Sequence, residues 1–477
     1  MFGALARERW VLASLAGVFN GIGFIYLGEV SLVANVPLLF ALVCSRSYWE
    51  AATLSAWVGF LGGIHIYGII NYGWFLLLGF SLYTASQMFI YGALFRFLWD
   101  GRRPIQDVLL VACIWALSEW LRTLGPICMP ASYVGNIANV DWLRPLLVLS
   151  PWIGGIGVST LIALCQSLIF HGVLSPQRHR RGLVIGAFAI LIAYGVGLSR
   201  LSGADQSKGG DISVIGVQGG LANSQYHAAD ADPAAMEDVI KTFEKLSQDA
   251  YELQPDLVVW PETAVRADVL NTESLRSRLF PDSHHRSTLI AGLIERNQLG
   301  ERFNAAIAIA PGGVTKDAYR KVRLVPSAES HLTPGQSIRP LDTSAGRVGV
   351  MICLESVYPD MARALVSNGA ELLVVASNDA GFGYSPITDH MTNRAIVRAV
   401  ETNRWLIRVG QAGVSAIVSP HGDVTERLGL FEPSLIRGWM KLKRDHTLYV
   451  RWGDWWMLLV LCLLAVSSIR RRGKPSV

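Results

Sequence analysis

The stretch Val348-Gly-Val-Met-Ile-Cys353-Leu-Glu355 decides how this chain is read. Five apolar or small residues form a buried strand candidate, and a helical pattern follows at about 356–368. A cysteine at such a strand-to-helix junction faces the positive end of a helix, which favours its thiolate. Two more polar residues end comparable apolar runs: Glu262 in Val258-Val-Trp-Pro-Glu262, and Lys321 in Tyr319-Arg-Lys321-Val-Arg-Leu-Val-Pro326. Pro261 cannot donate to a sheet ladder, so the strand stops there. A carboxylate at a strand end in partly apolar surroundings has a raised pKa and can act as a base near neutral pH. A base, a cation and a thiol together point to a nucleophilic cysteine enzyme. Taken singly, each has an ordinary alternative: a loop carboxylate, a solvated lysine, a packed apolar cysteine.

Outward from this stretch the pattern alternates. Strands are expected at Ile212–Gln218, Leu257–Trp260, Ser287–Ile294, Ala305–Ala310, Val348–Ile352, Glu371–Ala376, Trp405–Gly410 and Ala416–Ser419. Helices are expected at about 233–253, 356–368 and 386–403, and Pro420-His-Gly-Asp423 reads as a hairpin turn. The order indicates an α/β sandwich with helices outside two sheets. Residues 201–210, rich in Gly and Ser, read as a flexible linker.

The rest of the chain has another character. Half of all residues (51%) are hydrophobic and 17% are charged, too apolar for an ordinary soluble protein. Long apolar stretches at 10–28, 51–70, 73–95, 105–121, 146–173, 182–200 and 455–469, with a shorter one at 31–44, give eight expected spans. The expected domains are therefore a membrane domain of about seven helices (1–200), a polar domain (201–454), and a last membrane helix with a basic tail (455–477). Residues 201–454 carry 26 Lys+Arg against 30 Asp+Glu, and the remainder 16 against 7. The basic excess belongs to membrane loops, so nucleic-acid binding is not expected. With the N-terminus inside, Arg7, Arg9, Arg46, Arg96, Arg102, Arg103, Arg178, Arg180, Arg181 and Arg470 to Arg472 all face the cytoplasm, and the polar domain lies outside. Trp74, Trp142, Trp152, Trp452, Trp455 and Trp456 are expected to form an interfacial belt. The first span reads as a retained anchor.

Cys44, Cys113, Cys165 and Cys462 fall in apolar spans and suit packing. Cys128 lies in a loop, and Cys353 is the single cysteine of the polar domain, so an internal disulfide there is excluded. His284-His285 lacks partners at ligand spacing, and no phosphate loop is recognisable, so neither metal nor cofactor is expected.

Taken together, Glu262, Lys321 and Cys353 in this order resemble the nitrilase (carbon–nitrogen hydrolase) superfamily. With the membrane spans, nearly the whole chain resembles the bacterial apolipoprotein N-acyltransferase family. The resemblance rests on Glu119-Trp-Leu-Arg122, Val217-Gln-Gly219, Trp260-Pro-Glu-Thr263, Tyr319-Arg-Lys321, Leu324-Val-Pro326 with Glu329, Ile352-Cys353 with Glu355, Ser377-Asn-Asp379, and the helix from Arg394 to Asn403. It implies a multi-span α-helical membrane domain joined to an α-β-β-α sandwich. It implies a Glu262–Lys321–Cys353 triad, with Glu329 orienting Lys321 or sharing base work and Glu355 supporting the nucleophile's turn. It further implies a phospholipid acyl donor, a diacylglyceryl-cysteine lipoprotein acceptor, a Cys353 thioester, and a bacterial inner membrane with the catalytic domain on the periplasmic side. The chain departs from the family pattern at Gly220, Ser327, Leu354 and Gly381, positions that line or neighbour the expected acyl and headgroup path. Two other readings share these motifs: a membrane-tethered amidase that gives its thioester to water, and a membrane scaffold that kept the fold without the chemistry.

Overall fold

A computed structural model describes residues 7–124, 133–174, 176–202, 210–280, 286–326 and 328–472. The chain divides into two compact units, one of Met1–Gly203 with Trp452–Val477, the other of Ala204–Arg451.

In the first unit, four helices among the described residues are long and apolar enough to cross a membrane: Tyr48–Tyr72, Trp74–Leu98, Ser150–Leu174 and Gln177–Leu201. Shorter apolar helices occupy Arg9–Ile25, Gly28–Val43 and Met457–Ile469. The remaining expected span coincides with the helix Pro104–Leu121, which carries Asp107 and Glu119 inside its apolar run. Helices Tyr48–Gly63 and Trp74–Leu98 approach backbone to backbone: a Cβ on Gly92 would lie 2.3 Å from the Ala51 carbonyl oxygen. Small residues at such crossings permit the close dispersion contact on which helix association in lipid depends. Polar side chains add hydrogen bonds between helices. Asn20 donates to Asn35 (2.8 Å), Asn35 to the Tyr133 hydroxyl (2.7 Å), and Trp115 to Ser159 (3.0 Å).

The second unit is built on two six-stranded sheets. Strands β1 (Ile212–Gln218), β2 (Leu257–Val259), β3 (Thr288–Arg296), β4 (Arg302–Ile309), β5 (Thr315–Arg320) and β12 (Ser434–Met440) form one sheet in the order β12-β1-β2-β3-β4-β5. Strands β6 (Leu341–Thr343), β7 (Gly346–Ile352), β8 (Leu372–Ser377), β9 (Leu406–Gly410), β10 (Ala416–Val418) and β11 (Val424–Arg427) form the other, in the order β11-β10-β9-β8-β7-β6. The centre of each sheet is parallel: β1-β2-β3 in the first and β7-β8-β9 in the second. Parallel strands buried on both faces read as continuous apolar runs, which is why these central strands were legible in the sequence. The sheets stack face to face, with Gly216 of β1 against Val409 and Ile407 of β9.

Helices α1 (Asn223–Ala231), α2 (Pro233–Glu252) and α3 (Glu273–Leu279) belong to the side of the first sheet, and α4 (Pro359–Ser367) and α5 (Ile387–Thr402) to the second. Helix α2 starts at Asp232, whose carboxylate accepts the Ala234 amide (2.9 Å), with Pro233 in the first turn where no N–H is needed. Its buried residues Val239, Ile240, Phe243, Ser247, Ala250 and Tyr251 recur at helical spacing and pack with Ile215, Val217 and Trp260. The expected turn at 420–423 joins β10 to β11, with the Ser419 amide donating to the Asp423 carbonyl (2.8 Å). Strands β5, β6, β11 and β12 were not expected. β5 is an edge strand of sequence Thr-Lys-Asp-Ala-Tyr-Arg and lacks the apolar run by which the central strands declare themselves.

Candidate active site

The three expected residues come together at the carboxyl ends of strands from both sheets. Glu262 follows β2 after Trp260, whose ring is fully buried and whose indole N–H donates to Ser247 (2.9 Å). The Pro261–Glu262 turn lies against β3 at Gly292, where an added Cβ would meet the Pro261 carbonyl at 2.1 Å. Lys321 follows β5 and is held by its own backbone. Its amide donates to the Asn304 carbonyl and its carbonyl accepts the Gly335 amide, both at 2.8 Å. Cys353 follows β7 and opens a single 3₁₀ turn, Cys353–Val357, that ends before α4.

Lys321 is 1% exposed and its ammonium lies between two carboxylates, 2.8 Å from Glu262 Oε1 and 2.9 Å from Glu329 Oε2. Asn304 bridges the same pair from β4, its side-chain amide donating to Glu262 (2.7 Å) and Glu329 (2.6 Å). Glu262 Oε2 accepts the Asn378 amide (3.0 Å), and Glu329 Oε2 also accepts the Val325 amide (2.6 Å). Burial alone would lower the Lys321 pKa. The opposing charges of Glu262 and Glu329 hold the ammonium well above the ordinary lysine range nonetheless.

Cys353 adopts a left-handed backbone (φ 51°), as does Thr263 (φ 45°) directly after Glu262. For side chains other than glycine this costs about 1–3 kcal/mol and persists only where the surroundings impose it. The Cys353 turn is bound to its neighbours by Glu355. Its carboxylate is fully buried and accepts the amides of Ile352 (2.8 Å), Val322 (2.8 Å) and Arg323 (3.1 Å), together with the Tyr319 hydroxyl (2.9 Å). One side chain thus ties the turn that carries Cys353 to the segment that carries Lys321.

Cys353 is half-buried, and its surroundings oppose the thiolate that a helix end favours. Burial pushes the thiol far above its ordinary range, and the Glu262 charge adds to the rise; Lys321 opposes both without overcoming them. The following helical turn has only five residues, too short for a substantial end charge. The thiol therefore stays protonated near neutral pH and requires a base at the moment of reaction.

Sequence reasoning missed Asn304 and gave the Tyr319 hydroxyl no role. Asn304 was readable in principle, as the one polar residue heading the apolar run Ala305–Ile309. Among the departures, Gly220 has φ +67°, with the Pro433 nitrogen 2.4 Å from where a Cβ would stand, so this chain's backbone there requires glycine. Leu354 is partly exposed and Gly381 is buried. Ser327, Cys128 and His284-His285 lie outside the described residues. Among the described residues, no group of three or more His, Cys, Asp or Glu is placed to hold a metal ion.

This arrangement agrees with sequence relationships along the whole chain. Residues 221–444 match the carbon-nitrogen hydrolase profile and residues 16–168 that of the apolipoprotein N-acyltransferase N-terminal domain. An apolipoprotein N-acyltransferase of Azotobacter vinelandii is 31% identical, over 86% of this chain and 83% of that protein. The chain belongs to the apolipoprotein N-acyltransferase family. A member from Geobacter metallireducens is 26% identical over 99% of this chain and 97% of its own length. Among solved structures, a carbon-nitrogen hydrolase from Helicobacter pylori is similar at 18% identity, covering 55% of this chain and 95% of that one, with a TM-score of 0.39. Membership makes this chain an enzyme of the nitrilase superfamily with a membrane domain.

Proposed function

We propose that the protein transfers an acyl chain from a phospholipid, through a thioester on Cys353, to the N-terminal amine of a diacylglyceryl-cysteine lipoprotein. The observation that carries this reading is the ammonium of Lys321 clamped between Glu262 and Glu329 beside a protonated thiol, in a chain of this family. Glu262 takes the Cys353 proton as the sulfur attacks the ester carbonyl. The ammonium has three N–H bonds, two of them engaged by Glu262 and Glu329, and the third remains for the developing oxyanion. One such donor is worth about 3–4 kcal/mol. The ester C–O bond then breaks, and the lysophospholipid oxygen leaves with the proton held by Glu262. In the second half-reaction the lipoprotein amine attacks the thioester, Glu262 takes one amine proton, the C–S bond breaks, and that proton returns to sulfur.

Both substrates are lipids, which accounts for the apolar helices. Each CH₂ of an acyl chain costs about 0.8 kcal/mol to bring into water, so a site reached from the bilayer avoids an expense that a soluble enzyme would have to cover. The Lys/Arg distribution supports a bacterial inner membrane protein with its catalytic unit on the periplasmic side. The test is to supply phosphatidylethanolamine and a diacylglyceryl-cysteine peptide to the purified protein and identify the products. Amide-linked acyl peptide plus lysophospholipid is expected. Free fatty acid with unmodified peptide would replace this reading with the amidase one.

A further inference from the structure

Three buried side chains next to Cys353 have no part in the mechanism above. Ser377 ends β8, Asp379 follows two residues later, and Arg408 stands in β9, paired in register with Val375 of β8. None is more than 1% exposed. The Ser377 hydroxyl donates to Asp379 Oδ1 at 2.7 Å, and Ser377 stands next to Cys353, because Ile352 of β7 is paired in register with Ala376 of β8. The Arg408 guanidinium bonds to the other Asp379 oxygen, while its Nε and Nη1 find no acceptor among the described residues. Buried ion pairs commonly stabilise a fold no better than apolar residues of the same volume. A buried charged pair between β9 and the residues after β8, beside the nucleophile, therefore calls for a reason other than stability.

We propose that Ser377, Asp379 and Arg408 are positioning residues that form a hydrogen-bond relay, in which Asp379 and Arg408 hold the Ser377 hydroxyl beside Cys353 so that it turns onto the sulfur as the thiol gives its proton to Glu262. The inference rests on the reading of Cys353 as nucleophile and Glu262 as its base. A hydroxyl has one hydrogen and two lone pairs. At rest its hydrogen is given to Asp379, and the S–H is left to face Glu262. When the proton passes from sulfur to the Glu262 carboxylate, the thiolate needs a donor, and rotation about the Ser377 Cβ–Oγ bond supplies one. No covalent bond other than S–H and O–H changes in this step. Asp379 loses a donor but keeps Arg408, so the new thiolate faces a neutralised pair instead of a bare carboxylate.

Charge from Asp379 raises the thiol pKa and the Ser377 hydrogen bond lowers it, in keeping with these roles. The other charges acting on the sulfur are Glu262 and Lys321, with Glu355 in its own turn. Helix α5, which carries Asp389, His390, Arg394, Arg398 and Glu401, and helix α4, which carries Asp360 and Arg363, pack against that turn. All of these stay unchanged in the variants below.

The test measures alkylation of Cys353 by iodoacetamide between pH 6.5 and 9.5, on the full chain in detergent, with the modified peptide identified by mass spectrometry. Ser377→Ala should displace the rate–pH curve about one unit upward, a roughly tenfold loss at fixed pH, and Ser377→Thr, which keeps the hydroxyl, should restore it. Asp379→Asn should displace the curve to lower pH and Arg408→Met to higher pH, with the double variant returning to the wild-type position. Thioester formation from phospholipid should fall about tenfold in Ser377→Ala. An unmoved curve in Ser377→Ala, or displacement of Asp379→Asn and Arg408→Met in the same direction, would overturn the relay. Should Arg408→Met not fold, the two serine variants and Asp379→Asn still decide. Alkylation needs no lipid. A wild-type protein that takes no acyl group, yet shows these displacements, would therefore refute the donor reading and leave the relay standing.

Discussion

Replacing Glu355 with glutamine should separate the stability of the fold from the alignment of its active site. The ionised carboxylate accepts three backbone amides from two segments, plus one phenol. Burial raises the Glu355 pKa, and the hydrogen bonds from Ile352, Arg323 and Val322, with the Lys321 charge, recover only part of that rise. A carboxyl whose folded pKa lies above its unfolded value costs stability in its ionised form. That cost is absent below the unfolded pKa and fully present above the folded one. Glutamine removes the charge and with it the cost, so the loss of hydrogen bonds is offset and the melting temperature should change by no more than a few degrees. Alignment has no such compensation. The single amide oxygen can serve Val322 and Arg323 or Ile352 but not both, and its NH₂ group turns a donor toward whichever is left. The Lys321 segment and the Cys353 turn then lose their common anchor. A displacement near 1 Å in a reacting group costs about 10²-fold in rate. Single-turnover thioester formation, read by intact mass beside a thermal melt, should therefore show a roughly hundredfold slower Glu355→Gln protein with near-normal melting. A rate within threefold of wild type would refute the anchoring role, and a collapsed melting temperature would refute the offset.

Lys321→Met should slow thioester formation about 10²–10³-fold through the lost oxyanion donor, and should also lower the melting temperature, because Glu262 and Glu329 are left facing each other without their cation. Alkylation of wild-type Cys353 should keep accelerating with pH past the range where an ordinary thiol levels off, since burial and Glu262 hold the thiol protonated; a plateau near neutral pH would show a resting thiolate instead. Gly92→Val puts side-chain carbons where the Ala51 carbonyl stands, so the yield of monodisperse protein extracted from membranes should drop sharply, as measured by size-exclusion chromatography.

What was legible in the sequence follows a physical pattern. Central strands such as Val348–Ile352 and Leu372–Ser377 are buried on both faces and show as unbroken apolar runs, and the groups that end them mark the site. Edge strands such as Thr315–Arg320 carry half-exposed polar residues and no such run. Glu262 and Cys353 stood out because each ends an apolar run, whereas Lys321, which follows the polar edge strand β5, was picked out by the order that a known superfamily shares. Asn304 and Arg408 were passed over because a lone polar residue within a strand has no signature until the neighbouring chain is seen to pair with it. What opposes ionisation of Cys353 was illegible for a related reason. The local helix end is written in the sequence, whereas burial and the Glu262 charge come from residues about ninety positions away.

The central claim is that Cys353 accepts an acyl chain from phospholipid, and intact-mass analysis tests it most directly. Purified protein incubated with phosphatidylethanolamine should gain the mass of one acyl group, a Cys353→Ala control should gain nothing, and a diacylglyceryl-cysteine peptide should discharge the adduct. An unchanged mass with several phospholipids, or an equal gain in the control, would contradict the account.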